Sequence, residues 1–330
     1  MSRIRVGVIG CGDIAASGHL PALRRCPDVE LVAMLDQDAV RAEQVAAEYQ
    51  CQVLTSVPAF AELGADAVII ATPPQVTARL TLEAIAAGLD VLCEKPMATD
   101  LDSAIEVQQA TEQSDRVVQV GFKNRFSPLV RAMGTWIKDG QLGSPIAFTL
   151  GGFDEALDRS DPVHEKRIRD FLSVAPSFVH EGAHFADYLA YLTGSVPVDV
   201  QAMGLTSIAD LGSENFVSAL VRYANGDVAR LEVGWLFPRS PVGEFRALGP
   251  DGIAVIDRPG GVATLTRRDR TEVVRLDRPW NDLCFDLQLE HFLSCVRQRS
   301  TPETSAAAGV ASLRLGRQVT DAMRSRGGGQ

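Results

Sequence analysis

The feature that most constrains the fold is the amino-terminal run Val6-Gly7-Val8-Ile9, which leads into Gly10-Cys11-Gly12-Asp13-Ile14-Ala15. An apolar strand followed by Gly-x-Gly-x-x-Ala is typical of a tight turn into a helix that binds a dinucleotide pyrophosphate. Gly10 permits the turn, Gly12 lets the backbone approach the phosphates, and Ala15 lets the helix pack closely. Glycines at this spacing also occur in purely structural turns, so the assignment depends on later segments of the chain.

A second apolar strand, 30–35, ends in Asp36, roughly twenty residues beyond the glycines. A carboxylate in this place meets the ribose hydroxyls of a bound adenosine, although an Asp after a strand can also simply form a turn. Asp36 would repel a 2′-phosphate, and neither Gln37 nor Asp38 is an arginine that could receive one. The sequence therefore favours NAD, with NADP as the alternative.

Short β-branched segments alternate with helical segments as far as residue 121. Strands are predicted at 4–9, 30–35, 67–71, 90–93 and 117–121, with helices such as 39–49 and 77–87 between them. This alternation predicts a Rossmann-type, doubly wound parallel sheet, with an α/β architecture. Ligands lie at the carboxyl ends of such strands, so Thr72, Pro73, Glu94 and Lys95 are expected beside the cofactor.

The pattern changes after residue 121, so we divide the chain into a cofactor-binding domain, 1–122, and a substrate-binding and oligomerisation domain, 123–330. The second domain is predicted to contain a helix at 129–139, a strand at 146–150, an irregular charged stretch at 153–170, strands at 216–223, 228–235, 253–256 and 262–265, and helices at 284–299 and 305–322. Asn225-Gly226 predicts a type I′ hairpin turn. The domain is therefore α+β, with a large, mainly antiparallel, open-faced sheet that predicts a homodimer or homotetramer.

Composition excludes several classes of partner. The net charge of −10 comes from 42 acidic and 32 basic residues without a long basic block, which disfavours nucleic acid and anionic membranes. No segment reaches the ~18 apolar residues that span a bilayer. The six cysteines form no C-x-x-C pair, which is typical of free thiols in a reducing compartment and predicts a cytoplasmic protein.

Two groups of residues carry chemistry. Lys95 follows the strand at 90–93, where its ammonium could polarise a substrate oxygen or could be an ordinary solvated charge. His180-Glu181-Gly182-Ala183-His184 lies in a predicted helix that runs to about Thr193, with positions 180, 184 and 187 on one face. His184 could act as a general acid and base with His180 as its neighbour, or both could simply pack a helix.

Read literally, the same segment also matches H-E-x-x-H, the zinc signature of metalloproteases. That interpretation needs a third ligand, for which Asp187, Asp199 and Glu214 are candidates. A dinucleotide-binding domain has no role in a peptidase, so no metal site is expected and a zinc hydrolase remains the minor alternative.

Four segments together resemble the glucose-fructose oxidoreductase, inositol dehydrogenase and rhizopine-catabolism (Gfo/Idh/MocA) family. They are the glycine loop with His19-Leu20-Pro21, Ala71-Thr72-Pro73-Pro74, Glu94-Lys95-Pro96, and the histidine helix ending in 187–194. The resemblance extends over essentially the whole chain, including His291-Phe292-Leu293 and the segment 302–316.

The resemblance implies an NAD(P)-dependent dehydrogenase or ketoreductase acting on a secondary alcohol or ketone carbon of a sugar, sugar derivative or cyclitol. Lys95 matches the family's catalytic lysine, and His184 matches its catalytic histidine, followed by Asp187. Position 180 departs from the pattern, because Asp is frequent there and this chain has His180. A different proton relay and pH profile are therefore expected. Some relatives hold the nicotinamide tightly, and a regulator that binds NAD without turnover is the alternative function.

Lys123 and Arg125 lie in a segment, 122–126, that resembles the family's entry into the substrate crevice. They are candidate substrate contacts, with domain-interface salt bridges as the alternative. The residues predicted to contact the cofactor are Gly10, Gly12, Asp13, Ile14, Ala15, Asp36, Thr72, Pro73, Glu94 and Lys95.

Overall fold

The computed structural model describes residues 2–238, 244–268 and 270–327, without the side chains of residues 326 and 327. Its strands are β1 (Ile4–Ile9), β2 (Val29–Leu35), β3 (Gln52–Val53), β4 (Ala67–Ile70), β5 (Asp90–Cys93), β6 (Val118–Val120), β7 (Ala147–Phe153), β8 (Pro197–Leu205), β9 (Phe216–Tyr223), β10 (Val228–Gly234), β11 (Phe245–Leu248), β12 (Ile253–Asp257), β13 (Val262–Arg267) and β14 (Arg270–Arg275).

Its α-helices are α1 (Leu20–Arg25), α2 (Ala39–Tyr49), α3 (Pro58–Glu62), α4 (Pro74–Ala86), α5 (Leu101–Glu112), α6 (Pro128–Lys138), α7 (Pro162–Leu172), α8 (Ser177–His180), α9 (Gly182–Thr193), α10 (Trp280–Gln298) and α11 (Ala306–Gly327). A π-helical turn, Ala15–His19, precedes α1, and a 3₁₀ turn, Lys123–Phe126, precedes α6. Across the described ranges, no helix combines the length and the apolar character needed to cross a membrane.

The chain forms two compact units. The first contains Met1–Phe126 and Asn281–Val310, and the second contains Ser127–Trp280 and Ala311–Gln330. The predicted boundary near residue 122 lies close to the first crossing between the units. The chain then returns to the first unit at 281–310, which a single boundary does not describe.

The first unit is built on a six-stranded parallel sheet in the order β3-β2-β1-β4-β5-β6. Every residue of β4 and β5 is buried, as expected of strands that helices cover on both faces. The predicted doubly wound sheet is confirmed, with each predicted strand correct to within one residue at either end. The strand order reverses between β1 and β4, and ligands of such sheets bind outside the carboxyl ends at this point.

The second unit contains an eight-stranded sheet in the order β14-β13-β12-β11-β7-β10-β9-β8. All neighbouring strands are antiparallel except β7 and β10. Buried and exposed residues alternate along β9 and β12, because one face packs on a core shared with α6 and α9. The predicted mainly antiparallel sheet is confirmed.

The β9–β10 hairpin forms where it is predicted, but its turn is not type I′. Gly226 N donates to Tyr223 O at 3.0 Å, which places Ala224 and Asn225 at the centre of the turn. A type I′ turn needs a positive φ at both central residues, whereas Gly226, at φ 92°, is the positive-φ residue here. The glycine follows the turn rather than forming its centre.

The prediction of an irregular stretch at 153–170 is wrong for its second half, which forms α7. Asp161 caps this helix by accepting a hydrogen bond from His164 N at 2.9 Å, and Pro162 occupies the first turn. An Asp followed by Pro is a helix-start signal that the high charge of the stretch obscures. Pairs four residues apart, such as Glu165 with Arg169, then support the helix.

Candidate active site

The loop between β1 and the π-helical turn contains two glycines with different surroundings. Gly10 has a φ of +92°, and a Cβ there would lie 2.5 Å from the backbone oxygen of Ala71. Only glycine fits, because both the left-handed backbone and the close neighbour exclude a side chain. At Gly12, apart from the adjoining backbone and the two neighbouring residues in the chain, no described atom lies within 4 Å of the position that a Cβ would take. This open approach beside the amino terminus of a helix fits a dinucleotide pyrophosphate.

Asp36 fastens the glycine loop to the end of β2. Its Oδ2 accepts a hydrogen bond from Cys11 N at 2.7 Å, and its Oδ1 accepts one from Asp38 N at 2.9 Å. The side chain is only 6% exposed. An ionised carboxylate offers about four acceptor positions, so acceptor capacity remains for ribose hydroxyls.

An arginine that the sequence analysis does not anticipate lies beside Asp36. Arg41 places Nη1 3.9 Å from Asp36 Oδ2 and Nη2 3.4 Å from Asp38 Oδ2, with its side chain 47% exposed. The sequence argument considers only Gln37 and Asp38 as possible partners of a 2′-phosphate and therefore does not include Arg41. Asp38 is the N-cap of α2, so counting one helical turn from that cap finds the arginine.

Cys11 carries a neutral thiol in the middle of the glycine loop. Burial and the negative charge of Asp36 raise the pKa of this thiol to about 11. Because the thiol keeps its proton at neutral pH, it adds no negative charge where phosphates would approach. All six cysteines are free, as the sequence predicts.

The loops after β1 and β4 meet at the reversal of strand order. A Cβ at Gly10 would lie 3.0 Å from the methyl carbon of Thr72, so these two residues are in close contact. Thr72 Oγ1 lies 3.2 Å from Thr77 Oγ1 in the first turns of α4, whose N-cap is Pro73. The loops after β1 and β4, two of those expected beside the cofactor, are therefore in contact.

Glu94 is a buried carboxylate at the end of β5, with 7% of its surface exposed. Its Oε1 lies 2.8 Å from His19 Nε2, and its Oε2 accepts a hydrogen bond from Lys95 N at 3.1 Å. Burial alone would raise the pKa of Glu94. The hydrogen bond from His19 and the positive charges of His19, Lys123 and Lys95 outweigh burial and hold that pKa below its ordinary value.

Lys123 and Arg125 contact the carboxy-terminal segment of the first unit. Lys123 Nζ donates to Asn281 Oδ1 at 2.5 Å and lies 4.2 Å from the ring centre of Phe285. Arg125 is 8% exposed, and its Nη1 donates to the backbone oxygen of Glu303 at 2.9 Å. Both residues therefore make structural contacts within this unit.

The predicted single histidine helix is wrong, because the structure divides it at Glu181. His180 is the last residue of α8, whereas His184 lies in α9. The H-E-x-x-H signature requires both histidines on one continuous helix, and this chain does not provide one. In the part of the chain that the structure describes, no group of three or more His, Cys, Asp or Glu side chains could hold a metal ion.

His180 is enclosed by aromatic rings. Its ring lies 5.2 Å from that of Trp235 and 5.8 Å from that of Phe171, in stacked orientations. Its Nε2 lies 3.1 Å from the backbone oxygen of Phe171. A carbonyl only accepts hydrogen bonds, so Nε2 carries the proton.

His184 and Asp187 are both buried on α9, with exposed fractions of 4% and 2%. The His184 ring stacks on Tyr188 at 6.3 Å. This packing fixes the orientation of the imidazole. A fixed orientation is compatible both with proton transfer and with a purely structural role.

Comparison with known proteins decides between these chemistries. Residues 4–122 match the model of an oxidoreductase family with an NAD-binding Rossmann fold, and residues 130–255 match the GFO/IDH/MocA C-terminal domain. The chain belongs to the GFO/IDH/MocA oxidoreductase family. The predicted resemblance, the fold class and the assignment as an oxidoreductase are confirmed.

Other GFO/IDH/MocA proteins resemble this chain over most of its length. Inositol 2-dehydrogenase of Corynebacterium glutamicum is 28% identical over 265 residues, which are 78% of this chain and 75% of that protein. UDP-N-acetylglucosamine 3-dehydrogenase of Acidithiobacillus ferrooxidans is 29% identical over 258 residues, with the same coverage of 78% and 75%. The structure of myo-inositol 2-dehydrogenase from Lactobacillus plantarum shares the fold, with a TM-score of 0.85 at 21% identity and 98% coverage of both chains.

Proposed function

We propose that this chain is an NAD-dependent dehydrogenase that oxidises, or forms by reduction, a secondary alcohol on a sugar, a sugar derivative or a cyclitol. The proposal depends on one observation. The glycine loop, Asp36 and Lys95 follow β1, β2 and β5, so all three lie at the carboxyl ends of the strands of the first-unit sheet. The relatives named for inositol and UDP-N-acetylglucosamine support a substrate rich in hydroxyl groups.

The cofactor would be held mainly by backbone. Gly10, Gly12 and the following helix terminus would bind the pyrophosphate, and Asp36 would accept hydrogen bonds from the adenosine ribose. The other residues proposed to line the cofactor are Asp13, Ile14, Ala15, Thr72, Pro73 and Glu94. When bound, the nicotinamide supplies the hydride acceptor for oxidation or the hydride donor for reduction.

Lys95 is the proposed catalytic lysine. Its ammonium would donate a hydrogen bond to the substrate oxygen and stabilise negative charge on that oxygen while the C–H bond breaks. The buried Glu94 carboxylate, bonded to the backbone nitrogen of Lys95, holds the turn that presents this lysine.

His184 is the proposed general base in oxidation and general acid in reduction. An imidazole with a reference pKa of ~6.5 can take the hydroxyl proton and return it near neutral pH. Asp187, one turn further along α9, is assigned to substrate or imidazole positioning. We give His180 a positioning role, because its Nε2 proton is already donated to Phe171 O.

NAD is the proposed cofactor rather than NADP. Two backbone hydrogen bonds hold the Asp36 carboxylate beside the glycine loop, and a 2′-phosphate bound there would face its negative charge. Arg41 offsets part of that repulsion from 3.9 Å, so discrimination is expected to be incomplete.

The test is absorbance of reduced nicotinamide during incubation of the purified protein with NAD or NADP and a panel of inositols, aldoses and UDP-sugars. Turnover with one substrate class, lost in Lys95→Met, supports the dehydrogenase. Cofactor binding without turnover on any hydroxyl-bearing substrate would favour a regulator instead. Activity that is indifferent to nicotinamide and abolished by chelators would indicate a hydrolase.

A further inference from the structure

The helix that follows the glycine loop begins with an unusual turn. Leu20 N donates to Ala15 O, five residues back, so Ala15–His19 is π-helical. Single π-helical turns are rare and occur frequently at functional sites. The wider turn brings Gly18 and His19 to the inner side of the helix, where both are buried.

Phe285 of α10 packs directly against this turn. A Cβ at Gly18 would lie 2.2 Å from the Phe285 ring, so only glycine admits the ring this closely. The His19 ring meets the same phenylalanine edge-on, with centres 4.9 Å apart. Lys123 lies above that ring, 4.2 Å from its centre. The imidazole is therefore fixed between α10 and the end of β5.

His19 directs Nε2 at the Glu94 carboxylate, 2.8 Å away, with both side chains less than one-tenth exposed. A Cβ at Gly121 would lie 3.0 Å from Glu94 Oε1, so the glycine leaves the space that this carboxylate fills. An ionised carboxylate is costly to bury, and an apolar residue would pack this position more cheaply. What Glu94 provides instead is a second hydrogen bond, from Lys95 N to Oε2 at 3.1 Å.

We propose that His19 is a positioning residue, which acts through Glu94 to hold Lys95 in its productive orientation and couples the pyrophosphate-binding helix to the catalytic turn. This inference rests on the catalytic role proposed for Lys95. The helix whose start would bind the phosphates contains His19, which contacts the Glu94 carboxylate, and this carboxylate accepts a hydrogen bond from the backbone of Lys95. Phosphate binding and the placement of the lysine would therefore depend on the same set of contacts.

The kinetic test compares His19→Leu and His19→Gln with a matched control, Arg25→Gln. Arg25 also joins this helix region to α10, through a 2.7 Å pair with Asp286, but it is not among the charges that shift the pKa of Glu94. We expect His19→Leu to lower kcat about 10- to 100-fold with little change in substrate KM, because a small misplacement of a catalytic group has an effect of this size. His19→Gln, whose amide can still donate to Glu94, should recover most of the rate. Arg25→Gln should lower Tm and leave kcat unchanged.

A second measurement needs no bound cofactor or turnover. Trace acetylation of Lys95 in the apo protein, followed by mass spectrometry across a range of pH, reports the pKa of this lysine. The groups that act on the buried carboxylate beside it, Glu94, are His19, Lys123 and Lys95 itself. In Glu94→Gln the negative charge is lost, and in His19→Leu the pKa of Glu94 should rise because burial is no longer opposed by the imidazole. Both changes weaken the negative charge beside Lys95, so they should lower the pKa of Lys95 and speed labelling at about pH 8.

The outcomes separate the two hypotheses. If the parent protein turns over substrate, and His19→Leu matches Arg25→Gln in kcat and in Lys95 labelling, His19 has only a packing role and the inference fails while the proposed function stands. If no substrate is found, a shifted Lys95 labelling profile in His19→Leu still supports the connection. An unshifted profile in both His19→Leu and Glu94→Gln overturns it.

Discussion

The Nε2 nitrogen of His180 donates a hydrogen bond to the backbone oxygen of Phe171 across 3.1 Å. Phe171 belongs to α7, so this bond ties the short helix α8 to α7 within the second unit. The imidazole also stacks against Trp235. An ionised Asp at this position could accept hydrogen bonds but could not donate one to a carbonyl oxygen. His180 therefore supplies a donor that an Asp at this position would not.

The first prediction concerns His180→Asp. The carboxylate would be buried between two aromatic rings and face the Phe171 carbonyl oxygen, which keeps only its backbone donors, such as Val174 N at 3.0 Å. We expect a loss of unfolding free energy on the order of 3 kcal/mol, since a buried charge without compensation has an effect of this size. Urea unfolding should show it as a lower midpoint, whereas His180→Gln, which keeps an N–H donor, should lose much less. Equal midpoints for the two variants would contradict this account, as would a rate–pH profile in His180→Asp identical to that of the parent.

Cofactor preference gives the second prediction. In Asp36→Ser the negative charge is removed while Arg41, now without its 3.9 Å neighbour, remains able to receive a 2′-phosphate. The ratio of kcat/KM for NAD to that for NADP should fall by about tenfold or more, as expected when one charge pair of about 1.4 kcal/mol or greater is gained. Adding Arg41→Ala should restore part of the preference. An unchanged ratio in Asp36→Ser would show that discrimination lies elsewhere.

Replacing the catalytic lysine tests the third prediction. Lys95→Met keeps the length of the side chain but removes the ammonium, so kcat should fall by at least about a hundredfold, the effect typical of losing one donor to a developing oxyanion. Binding of NAD, followed by intrinsic fluorescence quenching, should stay close to that of the parent because the pyrophosphate cradle is untouched. Parent-like turnover in Lys95→Met would remove this residue from the mechanism.

Much of the first unit is predictable because its signals are local. β4 and β5 are short apolar runs bounded by turns, and the glycine spacing fixes the loop after β1. β3 is missed because it has two residues, both exposed, and carries no hydrophobic pattern. The return of 281–310 to the first unit depends on contacts such as the Gln119–Ser305 bridge, which have no local signature.

The residues of the candidate site likewise fall into those that local spacing identifies and those that only the fold brings together. Gly10, Gly12, Asp36 and Lys95 are recognisable from spacing, because one strand or one turn places each of them. The pairing of His19 with Glu94 spans 75 residues and depends on a π-helical turn that no propensity indicates. The break at Glu181 is likewise invisible in the sequence, since the apolar spacing continues across it.

The fourth prediction is that the free energy of unfolding falls at acidic pH because Glu94 becomes protonated. The pKa of Glu94 is held below its ordinary value in the folded protein, chiefly by His19 with help from Lys123 and Lys95, against the opposing effect of burial. The unfolded state therefore binds the proton more tightly. This stabilisation is fully present above the unfolded-state pKa of ~4.3 and is lost as pH falls through the lower folded-state pKa.

The measurement is the urea midpoint as a function of pH for the parent and for Glu94→Gln. Gln cannot ionise, so the advantage of the parent should be largest near neutral pH and should shrink as the solution is acidified below about pH 4. Other carboxylates titrate in both proteins and cancel in the difference. A difference between parent and variant that does not change with pH would contradict the assignment.

The fifth prediction concerns the outer face of the second-unit sheet. Large apolar side chains stand exposed on several of its strands, among them Met203 at 66%, Leu220 at 55% and Val273 at 47%. Apolar residues spread over neighbouring strands in this way are typical of a surface that a partner covers. We therefore predict a homodimer or homotetramer formed through this face.

Light scattering at micromolar concentration tests the prediction, and Leu220→Glu combined with Met203→Glu should shift the protein toward the monomer by placing charges in the apolar contact. Val40→Glu is the matched control, because Val40 is equally exposed, at 63%, but lies on α2 of the first unit. The control should keep the parent mass. A parent protein that is monomeric, or a double variant that keeps the parent mass while its circular dichroism is unchanged, would exclude this face as the interface.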